Sequence, residues 1–402
     1  MSFIEYCRNG DINKIKQMSL NTCNFDKGSK LAWVWAYLCE LYKTGNYTVD
    51  GNIMNIHARN ESGFRRACMY GHISIVKYLC ELYKTGNYNI INIHAENEDG
   101  FRDACYNGHD DIVKYLCELY KTDNYNIINI HVNNEEGFRL ACHNGHYDIV
   151  RYLCELYKTG KYMKINIHAL NEYGFVRACN YGHYDIVRYL CTLYRTGDYN
   201  IINIHAEDEK GFRYACIKGH YEIVRYLCEL YKRDNYNIID IHAKNEDSFR
   251  YACSRGHINI VRYLCELYKT DNYNIIDIHA EDENGFIWAC QGGHINIVRY
   301  LCELYKRDKY RKINIHAEYE GGFKAACENG HINIVRYLCE LYKTDNYNII
   351  NIHARNEEYF RWACKYGYYN IILYLMTLYK KHQYKSIYNY LMIFEKIDKY
   401  LV

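Results

Sequence analysis

The chain of 402 residues has no excess of charge of either sign, with 50 lysines and arginines set against 48 aspartates and glutamates. A general electrostatic binder of nucleic acid or of an anionic membrane needs a net positive field, so only a local patch is left open. No run of eighteen apolar residues occurs, and a membrane-spanning helix, which needs about twenty, is not expected. The segment from Met1 to Ile15 carries charge at Glu5, Arg8, Asp11 and Lys14. That excludes the apolar core of a signal peptide and points to an intracellular protein. A phosphate-binding glycine loop is missing as well. Proline is absent altogether, while tyrosine reaches 48 residues and asparagine and isoleucine are abundant. This bias fits an AT-rich genome and names no mechanism.

Cysteine, by contrast, is plentiful at 20 residues, and most copies recur twice at fixed places. One series follows an alanine (Cys68, Cys105, Cys142 and onward to Cys364), and the other follows a leucine (Cys80, Cys117, Cys154, Cys191, Cys228). Free cysteine behaves as a small buried hydrophobe, and without a secretion signal a reduced core is expected. A disulfide-rich secreted scaffold is the alternative.

The strongest feature is a ladder. A histidine, in Ile-His-Ala or a near copy, recurs at His57, His94, His131, His168, His205, His242, His279, His316 and His353, 37 residues apart each time. A fixed period of roughly 20 to 50 residues is the signature of a solenoid, whose units bury their apolar faces only by stacking. The two or three domains that length alone suggests give way to one array over residues 55–381, and function is expected on a repeated surface.

Within the unit from Asn97 to Asn133, Asn97 has the side chain of a helix N-cap. Asn or Asp fills this place in eight of nine units (Asn60, Asn97, Asn134, Asn171, Asp208, Asn245, Asp282, Asn356), with Tyr319 the exception. A glutamate follows in all nine, from Glu61 to Glu357, where the positive end of a helix dipole favours an anion. The first helix then carries Phe101, Ala104 and Cys105 on one stripe. After the turn Gly108-His109, the spacing of Ile112, Val113, Leu116, Leu119 and Tyr120 predicts a second amphipathic helix of about three turns. The stretch from Tyr125 to His131 reads as an extended connector. The basic residues Arg65, Arg102, Arg139, Arg213, Arg250, Lys324 and Arg361 form a stripe that nucleic acid could use. Glu98 and Arg102 are four apart, however, and the expectation is that each cation is partnered by its own glutamate.

Eight of nine units contain Cys-x-x-x-His, as at Cys105 and His109. Zinc needs four converging ligands, commonly with a close cysteine pair, and the two cysteines of a unit are twelve apart on different helices. The cysteines are therefore read as core and the turn histidine as a hydrogen-bonding residue, with no metal or cofactor. Of 19 histidines, 17 occupy two repeated places, leaving His143 and His382. Nucleophilic catalysis needs a singular constellation, so no enzymatic activity is expected.

Helix, Gly-His turn, helix and extended return resemble the ankyrin-repeat plan. Ala104-Cys105-Tyr106-Asn107-Gly108-His109, then Ile112-Val113 and Leu116-Cys117, is similar to that family's A-A-x-x-G-H-x-x-I-V-x-x-L-L, and Asn129-Ile130-His131 to its D-V-N segment. The resemblance spans nine units and implies an all-α ankyrin-repeat solenoid of stacked helix pairs. Asn-Glu-x-Gly-Phe replaces the family's T-P-L-H helix start, and the unit exceeds the usual length of about 33 residues, so contacts of the family's projecting finger are not carried over. Long, proline-free, tyrosine-rich repeats also resemble the ankyrin proteins of giant DNA viruses of amoebae, which implies the cytoplasm of a host cell.

The ends depart from the ladder. Phe3, Tyr6, Cys7 and Gly10 echo a first helix and turn, and Tyr37 to Lys43 copies a second helix. Residues 1–54 are thus expected to be degenerate repeats forming a cap, or else a recruitment domain. In 382–402, Ile387, Tyr390, Leu391, Phe394, Ile397, Tyr400 and Leu401 fall on one helical face, which suits a capping helix or a docking helix for a partner. Some viral ankyrin proteins end in an F-box-like segment that recruits a ubiquitin ligase, but this tail is short, lacks proline and has no convincing match.

The copies differ most in the two residues before Gly-His. These read Met69-Tyr70, Tyr106-Asn107, His143-Asn144, Asn180-Tyr181, Ile217-Lys218, Ser254-Arg255, Gln291-Gly292 and Glu328-Asn329, with Lys365-Tyr366 before a final Gly-Tyr. In the ankyrin family such places lie near the concave groove that contacts partners, so the resemblance makes them the candidate binding surface. Free drift of exposed positions is the alternative. The place before Ala-Cys adds Tyr214, Tyr251, Trp288 and Trp362, residue types enriched at binding hot spots and equally suited to packing between helices. Tyr70, Tyr106, Tyr181, Arg255, Trp288 and Trp362 are the strongest candidates for binding energy. The expectation is a non-catalytic scaffold for an unidentified protein, with neither nucleic acid nor membrane as partner. A substrate adaptor for a ubiquitin ligase and a passive structural component are the alternatives.

Overall fold

The structure, a computed structural model, describes residues 57–86, 89–122, 124–270, 272–307, 309–345 and 347–381. The cap expected over 1–54 and the helix expected over 382–402 lie outside these residues. The chain divides into two units, Met1–Ala206 and Glu207–Val402. In the first, helix pairs follow one another as α1 (Ala58–Met69) and α2 (Ile73–Glu81), α3 (Ala95–Asn107) and α4 (Asp110–Glu118), α5 (Val132–Asn144) and α6 (Tyr147–Glu155), α7 (Ala169–Tyr181) and α8 (Tyr184–Thr192). The second holds α9 (Ala206–Lys218) and α10 (Tyr221–Glu229), α11 (Ala243–Arg255) and α12 (Ile258–Glu266), α13 (Ala280–Gln291) and α14 (Ile295–Leu304). It continues with α15 (Ala317–Glu328) and α16 (Ile332–Glu340), a short α17 (Tyr342–Asp345), then α18 (Ala354–Tyr366) and α19 (Tyr369–Lys381). Among the described residues there is no strand. Inside each unit, first helices pack on first helices and second helices on second.

The apolar periodicity of one repeat accounts for this stacking. Phe101, Ala104 and Cys105 of α3, Ile112, Val113, Leu116 and Cys117 of α4, and Ile128 and Ile130 of the return are all buried. None of these side chains could be covered by a single helix pair, so each repeat needs its neighbour. The return also carries Tyr125, whose hydroxyl donates to the Cys80 carbonyl at 2.8 Å in the preceding repeat. Its ring meets Tyr83 edge-on at 6.2 Å, and the same tyrosine pairs recur at Tyr120–Tyr162 and Tyr268–Tyr310. Much of the tyrosine content is thus repeat cement. All the described cysteines are free and, Cys364 apart, buried. Burial pushes Cys105, Cys179 and Cys253 well above the ordinary thiol range, as expected of inert core residues.

The glutamate present in every copy is not a helix-dipole residue. Glu98 is 5% exposed. Its carboxylate accepts Nδ1–H of the ladder histidine His94 at 2.9 Å and the backbone N–H of Asn129 in the next return at 3.1 Å. The clamp recurs in the first unit at Glu135 with His131 and Asn166, and in the second at Glu246 with His242 and Asp277. The Asn or Asp of the return accepts the N–H of the ladder histidine with its own side chain, as at Asn129 and His131 (3.0 Å). Asn-Ile-His is therefore an Asx turn that sets the histidine where the glutamate can reach it.

The N-cap expected at Asn97 is likewise corrected. Glu96, Asn97 and Glu98 have φ of 54°, 55° and 61°, one left-handed turn, and His94 occupies the cap position with no side-chain cap bond. Asn and Asp are the non-glycine residues most tolerant of this region, which explains their presence in eight units. The turn is tied down from the following helix: Arg102 Nε donates to the Asn97 carbonyl at 2.9 Å and Nη2 to that of Glu96 at 3.1 Å. Its remaining nitrogen reaches Glu136 of the next repeat at 2.8 Å. Arg65 and Arg213 reach Asp99 and Asp247 in the same way. These arginines are paired, but with the next repeat's acid rather than with their own glutamate, because the left-handed turn carries that glutamate into the interior.

Two glycines explain the motif that replaces the family's usual helix start and the turn that follows. A Cβ on Gly137 would stand 2.7 Å from the Phe101 ring, so the small residue lets successive first helices close up. Gly108 has φ of 83°, and a Cβ there would meet His146 at 2.5 Å. Gly108→Ala is expected to lower stability by roughly 1–3 kcal/mol, the cost of one left-handed residue plus the clash, in urea unfolding followed by circular dichroism. Glu246→Ala strands a buried backbone N–H and a histidine Nδ1–H. It should lower stability by about 2–3 kcal/mol, measured in the same way, with Glu246→Gln intermediate.

Candidate partner-binding surface

The variable pairs close the first helices, immediately before the left-handed glycine. Met69, Tyr70, Tyr106, Asn107, Tyr181, Lys218, Arg255, Gln291, Asn329, Lys365 and Tyr366 are exposed, and His143, Asn144, Ile217, Ser254, Trp288, Glu328 and Trp362 are half-buried. Asn180 departs from the expectation: it is buried at 8% exposure and is not available to a partner. Tyr106 and Tyr366, at 46% and 49%, present the largest exposed rings of the set.

The backbone beneath these side chains is held from the next repeat. Nε2–H of the turn histidine donates to the carbonyl of the first variable residue: His109 to Met69 (3.0 Å), His146 to Tyr106 (2.9 Å) and His183 to His143 (2.8 Å) in the first unit. In the second unit His257 does so to Ile217 (3.0 Å), His294 to Ser254 (3.0 Å) and His331 to Gln291 (2.9 Å). The bond uses main chain only, so the side chain above it is free to be anything. Rigid presentation of changeable side chains follows from this one contact.

The side chains also touch one another. His143 and Tyr181 rings lie 4.3 Å apart, and Asn144 donates to the Tyr106 carbonyl at 3.0 Å. In the second unit Tyr251 packs on Trp288 at 5.1 Å with the Arg250 guanidinium 5.6 Å from the indole. Trp362 stacks on Tyr366 at 5.4 Å, and Lys365 lies 4.5 Å from the Trp362 ring. Trp288 is thus spent partly on packing between neighbouring first helices. In the first unit burial together with Asp99 raises the Asp103 carboxyl to about 6.

Among the described residues no group of three or more His, Cys, Asp or Glu is placed to hold a metal ion, and no helix is long and apolar enough to cross a membrane. Cys105 is buried on α3 while His109 turns outward to Met69, so the Cys-x-x-x-His pattern does not converge.

A family model for ankyrin repeats, built on three copies, matches residues 64–169, 104–203, 138–245, 175–277 and 214–316 in overlapping registers. The chain belongs to the ankyrin-repeat family. No curated protein matches it. Its ankyrin repeats interlock through a buried glutamate, held by a half-buried histidine of its own repeat and by the main chain of the next return, that went unrecognised in the sequence. The available signal was a histidine four residues before each invariant glutamate, a spacing that the left-handed turn converts into direct contact.

Two ladder histidines and two turn histidines are shifted in opposite directions. Contact with glutamate raises His168 and His242 above 6.5, with burial opposing. Their Nε2 atoms are buried without an acceptor among the described residues, which limits the rise. Burial lowers His72 and His257. A histidine lowered by folding stabilises above its unfolded value of about 6.5 and loses that contribution as pH falls. The raised pair, His168 and His242, contributes fully below that value and loses it as pH rises through the folded pKa. NMR titration of the imidazole rings should give a midpoint above 6.5 for His242 and below it for His257. His257→Gln should flatten the decline of thermal stability between about pH 6.5 and pH 5.

Proposed function

We propose that this ankyrin-repeat protein is a non-catalytic scaffold that binds a protein partner across the ends of its first helices, the surface that faces the concave groove in its family. The observation that carries this reading is the bond from six of the turn histidines to a main-chain carbonyl, which keeps the backbone constant while the side chain above it changes from repeat to repeat. Tyrosine, tryptophan and arginine, the residues enriched at binding hot spots, sit at several of these places. The composition, similar to that of ankyrin proteins from giant DNA viruses, favours a partner in the cytoplasm of a host cell.

The test is a full-length variant with Tyr70, Tyr106 and Tyr181 all changed to alanine. Affinity purification from the native host should recover a protein that the wild type retains and the variant holds at least tenfold more weakly, a difference of about 1.4 kcal/mol. The helical spectrum should be unchanged. Equal retention by both proteins would exclude this face.

A further inference from the structure

Charge is distributed unevenly along the first helices of the second unit. In the body of α9 and α11 every lysine and arginine has a carboxylate: Lys210 pairs with Glu207, Arg213 with Asp247 at 2.7 Å, Lys244 with Asp208 at 2.7 Å and Arg250 with Asp247 at 3.7 Å. Lys218 and Arg255, which close these two helices, are exposed and have no ion-pair partner among the described residues. Both cations flank a single bond. His257, two residues after Arg255, donates from Nε2–H to the carbonyl of Ile217, the residue before Lys218, at 3.0 Å. Burial lowers His257 against the pull of that carbonyl, and His220, His294 and Arg255 add to the lowering, the sign of a positive field at this junction. The corresponding pairs of the first unit, from Met69-Tyr70 to Asn180-Tyr181, hold no Lys, Arg, Asp or Glu. Ile217 and, one turn before the cations, Tyr214 and Tyr251 are half-buried and leave an apolar strip beside the charges. Lys210 lies over the Tyr214 ring at 5.9 Å and Arg250 over Trp288 at 5.6 Å, with Tyr251 packed on the same indole. These rings are not the open platforms on which the bases of a nucleic acid stack.

We infer, on the reading that this face binds a protein, that the junction of α9 and α11 takes an extended acidic peptide segment whose carboxylates recur at every third residue. Equivalent positions on packed helices are about 8–10 Å apart. A polyproline II segment returns to the same side every third residue, after about 9 Å, so that one carboxylate meets Lys218 while the next meets Arg255. The guanidinium can hold its carboxylate through two parallel bonds. An aliphatic side chain between the two acids rests on Ile217 and Tyr251. No carboxylate of the protein has to be displaced, because neither cation is engaged within the fold.

Fluorescence anisotropy of a dye-labelled peptide of repeated Glu-Pro-Leu, titrated with the full-length protein, tests this. The wild type should bind it, less tightly as salt rises from about 50 to 300 mM, and should not bind the matching Lys-Pro-Leu peptide. Lys218→Glu with Arg255→Glu should weaken binding roughly tenfold, and Lys218→Gln with Arg255→Gln roughly threefold, with the helical spectrum unchanged. The variant with Tyr70, Tyr106 and Tyr181 changed to alanine leaves this junction intact and should bind the peptide as the wild type does. Should that variant lose its cellular partner while the wild type ignores the Glu-Pro-Leu peptide, the scaffold reading stands and the acidic-peptide assignment falls. Equal binding by the wild type and both charge variants, or of both peptides by the wild type, also overturns the inference. So does an oligothymidylate that binds more tightly than the peptide and is weakened by the same substitutions, which would assign the junction to nucleic acid.

Discussion

Everything in this fold hangs on placing a carboxylate where carboxylates are costly. An ionised glutamate withdrawn from water is tolerated only when its oxygens are met by donors. Here the donors come from two directions, the ladder histidine of the same repeat and the main chain of the next return, as at Glu98 with His94 and Asn129; at Glu246 and Glu283 both meet the same oxygen, Oε1, and Oε2 is buried without a hydrogen bond among the described residues. Bonds to an ionised acceptor are about twice as strong as neutral ones. Their main value here is geometric, because the carboxylate can be satisfied only when the following repeat is in register. The apolar stack supplies the driving force for association, and the clamp decides its alignment.

The left-handed turn is the means by which that carboxylate arrives. A right-handed start at Asn97 would leave Glu98 on the helix surface, near Arg102, as its spacing suggested. Three residues at positive φ rotate it inward and leave the arginine to hold the turn's carbonyls. A local strain on the order of a few kcal/mol is thereby offset by hydrogen bonds from two elements. The same arrangement explains why Asn and Asp dominate one position, Glu the next, and Gly the one that packs on the preceding Phe.

The helix pairs, the Gly-His turn, the reduced buried cysteines and the extended return could all be read from the sequence, because each rests on periodicity or on a side-chain type whose behaviour is local. Asn97, Glu98 and Arg102 were misread for a common reason. Backbone handedness is not visible in a polar tripeptide, and an Asn before a helix suits an N-cap as well as a left-handed residue. The surface pairs were legible as variable, while Asn180 was not legible as buried, since burial at the end of a first helix depends on the neighbours' side chains. The turn histidines were legible as hydrogen-bonding residues, but their acceptor emerged only with coordinates, because it is main chain 40 residues away.

The turn glycine, the histidine that crosses over it and the clamp below are made from the same atoms in repeat after repeat, and none of them recognises which neighbour it has met. The interfaces therefore encode adjacency without encoding order. A gene that loses or duplicates one whole period still specifies a chain in which every lock finds a key. The length of such an array is set by recombination rather than by chemistry, and new combinations of surface side chains become accessible by shuffling units that already fit.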